Sequence, residues 1–163
     1  MTTLYDPAAR AALHQRLAAL RPDSARRWGR MSAHQAVCHL ADSMRAVLGD
    51  RPIPPFPNFL VKTLGRIFAL WTPLPWPRGT PTAPQVDQVA GGGTPPGDFA
   101  RDVAGLVALM DHFAAADPAS LQPHPVFGRL TRGEWGRWAW RHADHHLRQF
   151  GAWGGRAPRG RHR

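Results

Sequence analysis

His142 and His146 stand four residues apart near the C-terminal end of the chain, in the stretch T-R-G-E-W-G-R-W-A-W-R-H-A-D-H-H-L-R-Q-F-G-A-W at 131–153. On a helix, residues i and i+4 point the same way, one turn apart. That spacing lets one helix offer two imidazole nitrogens to a single metal ion. The alternative is a pair of histidines packed in a Trp-rich core, where each needs partners for two ring nitrogens. A metal site needs a third ligand, and His39 is the candidate, although its position around its own helix leaves open whether it faces inward. Three histidines with an open position is the arrangement of catalytic zinc, in which a bound water's pKa falls to roughly 7.

Other residues near these positions have chemistry to offer. Asp42, one turn after His39, reads either as a group that orients an imidazole or acts as a base, or as a solvated carboxylate. Gln149 lies near the ligand face and reads either as a partner for a ligand's second nitrogen or as packing. His124 precedes Pro125 and is therefore extended or in a turn. It is either an acid/base at the mouth of the site or part of a turn in which Phe127 packs and Gly128 relieves the backbone. His145 reads as the outer member of its doublet and Asp144 as solvated. Cys38 points about 100° away from His39 around a helix and reads as a small buried residue.

The elements that must carry these residues follow from caps and periodicity. Asp6-Pro7 opens a first helix, with Ala9, Leu13, Leu17 and Leu20 as its buried stripe. Ser32 with Gln35 is a capping box, and Gly49 closes that second helix. The prolines of 51–58 exclude helix there. Phe59 to Trp71 reads as a short helix with Leu60, Leu64, Ile67, Phe68 and Trp71 on one side. The segment 72–97 is long, proline-rich and holds Gly91-Gly92-Gly93. It is either an arm over a site or a loop crossing one end of the fold. Asp98 opens a helix whose core face is Phe99, Val103, Leu106, Val107, Met110 and Phe113, and Asp117-Pro118 stops it. Thr131 with Glu134 caps the last helix, whose stripe runs Trp135, Trp138, Ala139, His142, His146, Gln149, Trp153. No alternating strand pattern of useful length occurs. The expected fold is all-α: a four-helix bundle with one extra short helix and a long Pro-rich loop, a single domain over 1–153 followed by a basic disordered tail, 154–163.

Composition narrows the function. The chain has 163 residues and one cysteine, Cys38, so a metal site within one chain rests on His, Asp, Glu or water. The formal net charge is +10, and of 21 basic residues all but Lys62 are Arg. Scattered Arg in an Ala-, Gly- and Pro-rich chain fits a coding bias, whereas the Arg-rich tail leaves nucleic-acid contact open. No apolar run long enough for a membrane span and no secretory signal is evident, so a cytoplasmic protein is expected.

H-P-V-F-G at 124–128, E-W at 134–135 and H-A-D-H-H-L-R-Q-F at 142–150 resemble a bacterial branch of the DinB/YfiT-like superfamily, a domain of unknown function. W-G-R-M-S-A-H-Q-A-V-C-H-L-A-D at 28–42 is similar to its N-terminal motif. The resemblance implies a four-helix bundle, commonly a homodimer, with a divalent metal on three histidines that match His39, His142 and His146. Relatives include transferases that use bacillithiol or mycothiol, a maleylpyruvate isomerase and proteins assigned as metal-dependent hydrolases, and the resemblance does not choose among them. The expectation is a metal-dependent enzyme, with Zn²⁺ or Ni²⁺ activating water or a low-molecular-weight thiol toward a small-molecule substrate. Arg141 and Arg148, which flank the ligand face, would meet an anionic thiol cofactor. The competing expectation is a non-catalytic dimeric metal-binding or stress-related module that touches nucleic acid through its tail.

Overall fold

The computed structural model describes residues 1–55, 61–80 and 82–153. The basic tail expected to be disordered, and the start of the helix expected from Phe59, lie outside these residues. The described chain is all-α: α1 (Pro7–Ala18), α2 (Ala33–Leu48), α3 (Arg66–Trp71), α4 (Phe99–Ala115) and α5 (Arg132–Gln149). Among the described residues the one β-type pairing is an isolated bridge between His124 and Gly128.

The helix starts are the ones the caps dictate. The Asp6 carboxylate accepts from the Ala8 N–H at 2.9 Å, and that of Asp98 from the Arg101 N–H at 2.8 Å. Ser32/Gln35 and Thr131/Glu134 form reciprocal capping boxes. Each satisfies two N–H groups that a helix start leaves orphaned. Gly49, at φ 102°, ends α2 in the left-handed conformation.

Packing then brings α2 and α5 side by side. Val37, Leu40 and Met44 of α2, Leu106, Met110 and Phe113 of α4, and Trp135, Trp138 and Leu147 of α5 share one core with Leu13 and Leu17 of α1. Burying each such side chain contributes about 1.5–3 kcal/mol. α2 lies against α4 and α5, α1 against α4 and α5, and α3 against α5. Ahead of α1, Leu4 is fully buried and its N–H donates to the Gly136 carbonyl of α5 at 2.8 Å.

Three sequence expectations need correction. The last helix ends at Gln149, because Gly151 at φ 72° turns the chain. Trp153 therefore leaves the stripe, is 45% exposed, and sits under the guanidinium groups of Arg27 and Arg148. The short helix is α-helical over Arg66–Trp71 and enters through a wider π-helical turn at Val61–Gly65. That turn breaks the 3.6-residue register. Ala69 and Leu70 become the buried side, while Leu64, Ile67 and Trp71 are more than half exposed or nearly so. Asp144 is not solvated: it is buried between Arg16 at 2.8 Å and Arg148 at 2.7 Å and ties α1 to α5.

The segment 72–97 packs on α2 and lines a cavity. Its 3₁₀ turn at Pro84–Val86 packs on α2, and the glycine triplet makes this possible. A Cβ on Gly92 would lie 1.7 Å from the Pro84 carbonyl oxygen, and one on Gly93 2.0 Å from Gln88 Nε2. Gly92→Ala is therefore expected to force the two backbones apart and destabilise the fold by about 1–3 kcal/mol. Gly105→Ala, where a Cβ meets nothing within 4 Å, is expected to be neutral or to stabilise α4 by up to about 1 kcal/mol. Paired thermal melts check both, and equal midpoints for the two variants would show that the triplet is not under steric constraint.

Candidate metal centre

His39 sits in the middle of α2; His142 and His146 sit one turn apart on α5. The packing of α2 against α5 brings all three together, each buried. One ring nitrogen from each falls within 4.8 Å of the others. His39 Nε2 and His142 Nε2 are 3.1 Å apart. Nitrogens arranged tetrahedrally around a zinc ion at about 2.0 Å stand about 3.3 Å from one another, so the His39–His142 pair is spaced for one cation.

The hydrogen bonds behind two of the rings fix which nitrogen faces the centre. The Val86 carbonyl can only accept, so His39 Nδ1 carries the proton and donates at 2.8 Å. His146 Nδ1 likewise donates to Gln149 Oε1 at 2.9 Å. Both rings then present a bare Nε2 lone pair, the tautomer a metal ligand needs. His142 Nδ1 is buried without a hydrogen-bond partner among the described residues. Burial holds all three imidazoles below the ordinary histidine pKa, and for His142 the neighbouring histidines reinforce it. Three neutral imidazoles are a suitable donor set for Zn²⁺ or Ni²⁺.

The group opens onto a cavity of about 570 Å³ that passes under the 72–97 segment. Trp138 and Trp76 both pack on His142, with ring centres 5.5 and 5.6 Å away. Trp76 is fixed by its indole N–H, which donates to the Ala69 carbonyl at 2.8 Å. His145 is half-buried, lines the cavity and packs on Trp28 and Trp76.

The remaining candidates are placed as follows. Gln149 is buried at the site and orients His146. His124 lines the cavity and also builds its turn: it stacks on Phe127 at 4.5 Å, and its Nδ1 accepts the N–H groups of Val126 and Phe127, both at 3.1 Å. Burial pushes its pKa down to about 3. Asp42 is fully buried, and its carboxylate is occupied by Thr94, Gln88, Arg45 and Arg51. Arg141 donates to the carbonyls of Thr72 and Leu74, which straps the proline-rich segment onto α5. Arg148 pairs with Asp144. Neither arginine is among the residues that line the cavity.

Sequence reasoning missed Trp76, the Val86 carbonyl and the polar knot around Asp42. It also missed a second group, His34, Cys38 and Asp102, whose ligand atoms lie within 4.8 Å of one another. There Asp102 Oδ2 accepts from His34 at 2.6 Å, from the Gly97 N–H at 3.0 Å and from the Cys38 thiol at 3.8 Å. Burial and nearby carboxylates push the Cys38 thiol up to about 11, so the group is a satisfied hydrogen-bond knot joining α2 to the start of α4.

No helix among the described residues is long and apolar enough to cross a membrane. No curated protein and no solved structure is similar enough to match the chain. Residues 4–152, which include both capping boxes, the three histidines and the H-P-V-F-G turn, match a family described as a protein of unknown function (DUF1569), and the chain belongs to that family.

Proposed function

We propose that the chain is a DinB-like four-helix bundle, with α1, α2, α4 and α5 as its helices, and that it is a metal-dependent enzyme. His39, His142 and His146 hold one divalent cation, Zn²⁺ or Ni²⁺. The observation that carries this reading is the paired orientation of His39 and His146. Each spends its Nδ1–H on a fixed acceptor and turns a bare Nε2 toward the same point as His142. When bound, the cation supplies a Lewis acid with an open position facing the cavity.

The chain's own residues do the rest. Val86 and Gln149 orient two ligands. Trp76 and Trp138 exclude water from one flank of the centre. His124 has both backbone bonds on Nδ1, so its proton is on Nε2; it is a neutral hydrogen-bond donor and not a base. Hydrolysis and thiol transfer both fit a cation in such a setting. The reading includes a homodimer, supported by the apolar side chains of Leu64, Ile67, Trp71 and Leu74, which are 50–64% exposed.

Elemental analysis of protein purified without a histidine tag tests the centre. About one Zn or Ni per chain is expected, lost in His142→Ala/His146→Ala. Metal-free protein that also fails to take up added Zn²⁺ or Ni²⁺ would leave the histidines as core residues.

A further inference from the structure

The cavity in front of the three histidines has a wall chemistry of its own, and it selects a kind of ligand. Its sides are built from Phe68, Trp76, Val86, Val89, Phe127 and Trp138. Charged side chains on the described wall are Arg30 and Asp87. Arg30 is solvent-exposed. The Asp87 carboxylate is turned onto its own loop, where it accepts the N–H groups of Val89 and Ala90 at 3.0 and 3.1 Å. The described wall therefore offers one carboxylate, Asp87, against the charge of a divalent cation held by three neutral imidazoles. In an apolar enclosure the remaining charge is costly, and one anionic ligand group is the natural counter-charge. Beyond that head the wall is mainly apolar, with Arg30, Ser43, Thr80 and Thr82 as scattered polar groups. The two indoles beside His142 suit a flat body, and about 570 Å³ is an ordinary volume for a small-molecule site.

We infer that the cavity takes a flat, apolar small molecule carrying one anionic metal-binding group, such as an aryl thiolate or an aryl hydroxamate, and not a polar, multiply charged thiol. This rests on the metal reading above. It makes Trp76 a specificity-determining residue, because it is held over the site from the proline-rich segment by its bond to Ala69 and by the Arg141 strap.

The test uses the full-length protein loaded with Co²⁺, followed by the cobalt absorption bands and by tryptophan fluorescence. Benzohydroxamate is expected to bind roughly 30-fold tighter than acetohydroxamate, the fold-change for burying a phenyl ring. Thiophenol is expected to bind tighter than glutathione in the same sense. In Trp76→Ala the benzohydroxamate advantage is expected to fall below about 5-fold, and in Trp76→Phe most of it is kept. Wild-type cobalt stoichiometry and far-UV circular dichroism show that the variants are folded with their centre intact. Equal affinities for the two hydroxamates, or a preference for glutathione, overturn the ligand class and leave the metal centre standing. Failure of the wild-type chain to take up Co²⁺ overturns both.

Discussion

In metal-free protein, His124 is expected to make the fold sensitive to acid, with up to about 4–5 kcal/mol of stability lost between pH 6.5 and pH 3. Burial sets this effect. The ring is 9% exposed, and the folded-state pKa lies at about 3 against an unfolded value near 6.5. Its two backbone bonds work in the same direction, since a proton on Nδ1 would turn an acceptor of two N–H groups into a third donor facing them. The unfolded chain thus binds one more proton than the fold throughout that window. The stabilisation is complete above pH 6.5 and declines by about 1.4 kcal/mol for each unit of acidification until the folded pKa is reached. His39, His142 and His146 are also held below the ordinary value by burial, so the wild-type slope alone does not isolate His124. His124→Asn does. An asparagine oxygen can accept from the N–H two residues on, as in an Asx turn, and has no proton to gain. Urea unfolding at pH 7 and at pH 4.5 is expected to show the variant less acid-sensitive by about 2–3 kcal/mol over that interval. Parallel pH dependences for variant and wild type would mean that His124 is already solvated or protonated in the fold.

The same residue shows what the sequence could and could not disclose. His124-Pro125 and Gly128 mark a turn by their backbone preferences alone, and the turn is there. That the ring also lines the cavity depends on how α5 packs, which no local pattern encodes. The helix boundaries that rest on caps, at Asp6, Ser32, Asp98 and Thr131, were legible because capping is a local exchange between a side chain and N–H groups two or three residues on. Where a glycine intervened, periodicity misled: the stripe from Trp135 runs on paper to Trp153, yet Gly151 turns the chain first. The exposed face of α3 was misread for a related reason, because one π-helical turn shifts every later residue around the axis.

At the site, the pair His142 and His146 was legible from spacing, since both lie on one helix. His39 lies 103 residues earlier than His142, and its inward orientation became evident when α2 was seen against α5. Val86 was invisible in principle. It acts through a carbonyl, which every residue has, and neither its side chain nor its neighbours mark it.

Asp42→Ala is expected to cost about 2–4 kcal/mol and, in addition, to weaken metal binding about 10–100-fold, although Asp42 touches none of the three imidazoles. Its carboxylate is fully buried and accepts two short bonds from Thr94, from the N–H and from the hydroxyl, both at 2.7 Å, with Gln88 Nε2 at 3.3 Å. Arg45 and Arg51 reach it from the surface at 3.1 and 3.4 Å and can return to water. Gln88 is buried and cannot, so the cost comes from leaving its amide short of an acceptor and from losing the charge that gathers the loop. Asn is a poor replacement, because its NH₂ would face groups that themselves donate. Arg51 also donates to the Gly92 carbonyl at 2.8 Å, and Gln88 to the Thr94 carbonyl at 2.9 Å, so a single buried charge gathers residues 88–94 onto α2. Immediately before that stretch is Val86, whose carbonyl sets the His39 tautomer. Releasing the loop frees that carbonyl, and His39 can then protonate on either nitrogen. Asp42 is a positioning residue for the centre, and two measurements separate this from simple loss of stability. Zn²⁺ affinity at a temperature where both proteins are fully folded is expected to fall in Asp42→Ala, and to remain near wild type in Leu17→Ala, a comparable destabilisation of buried α1 far from the loop. If both variants bind Zn²⁺ as wild type does, the loop holds the fold together without setting the ligand.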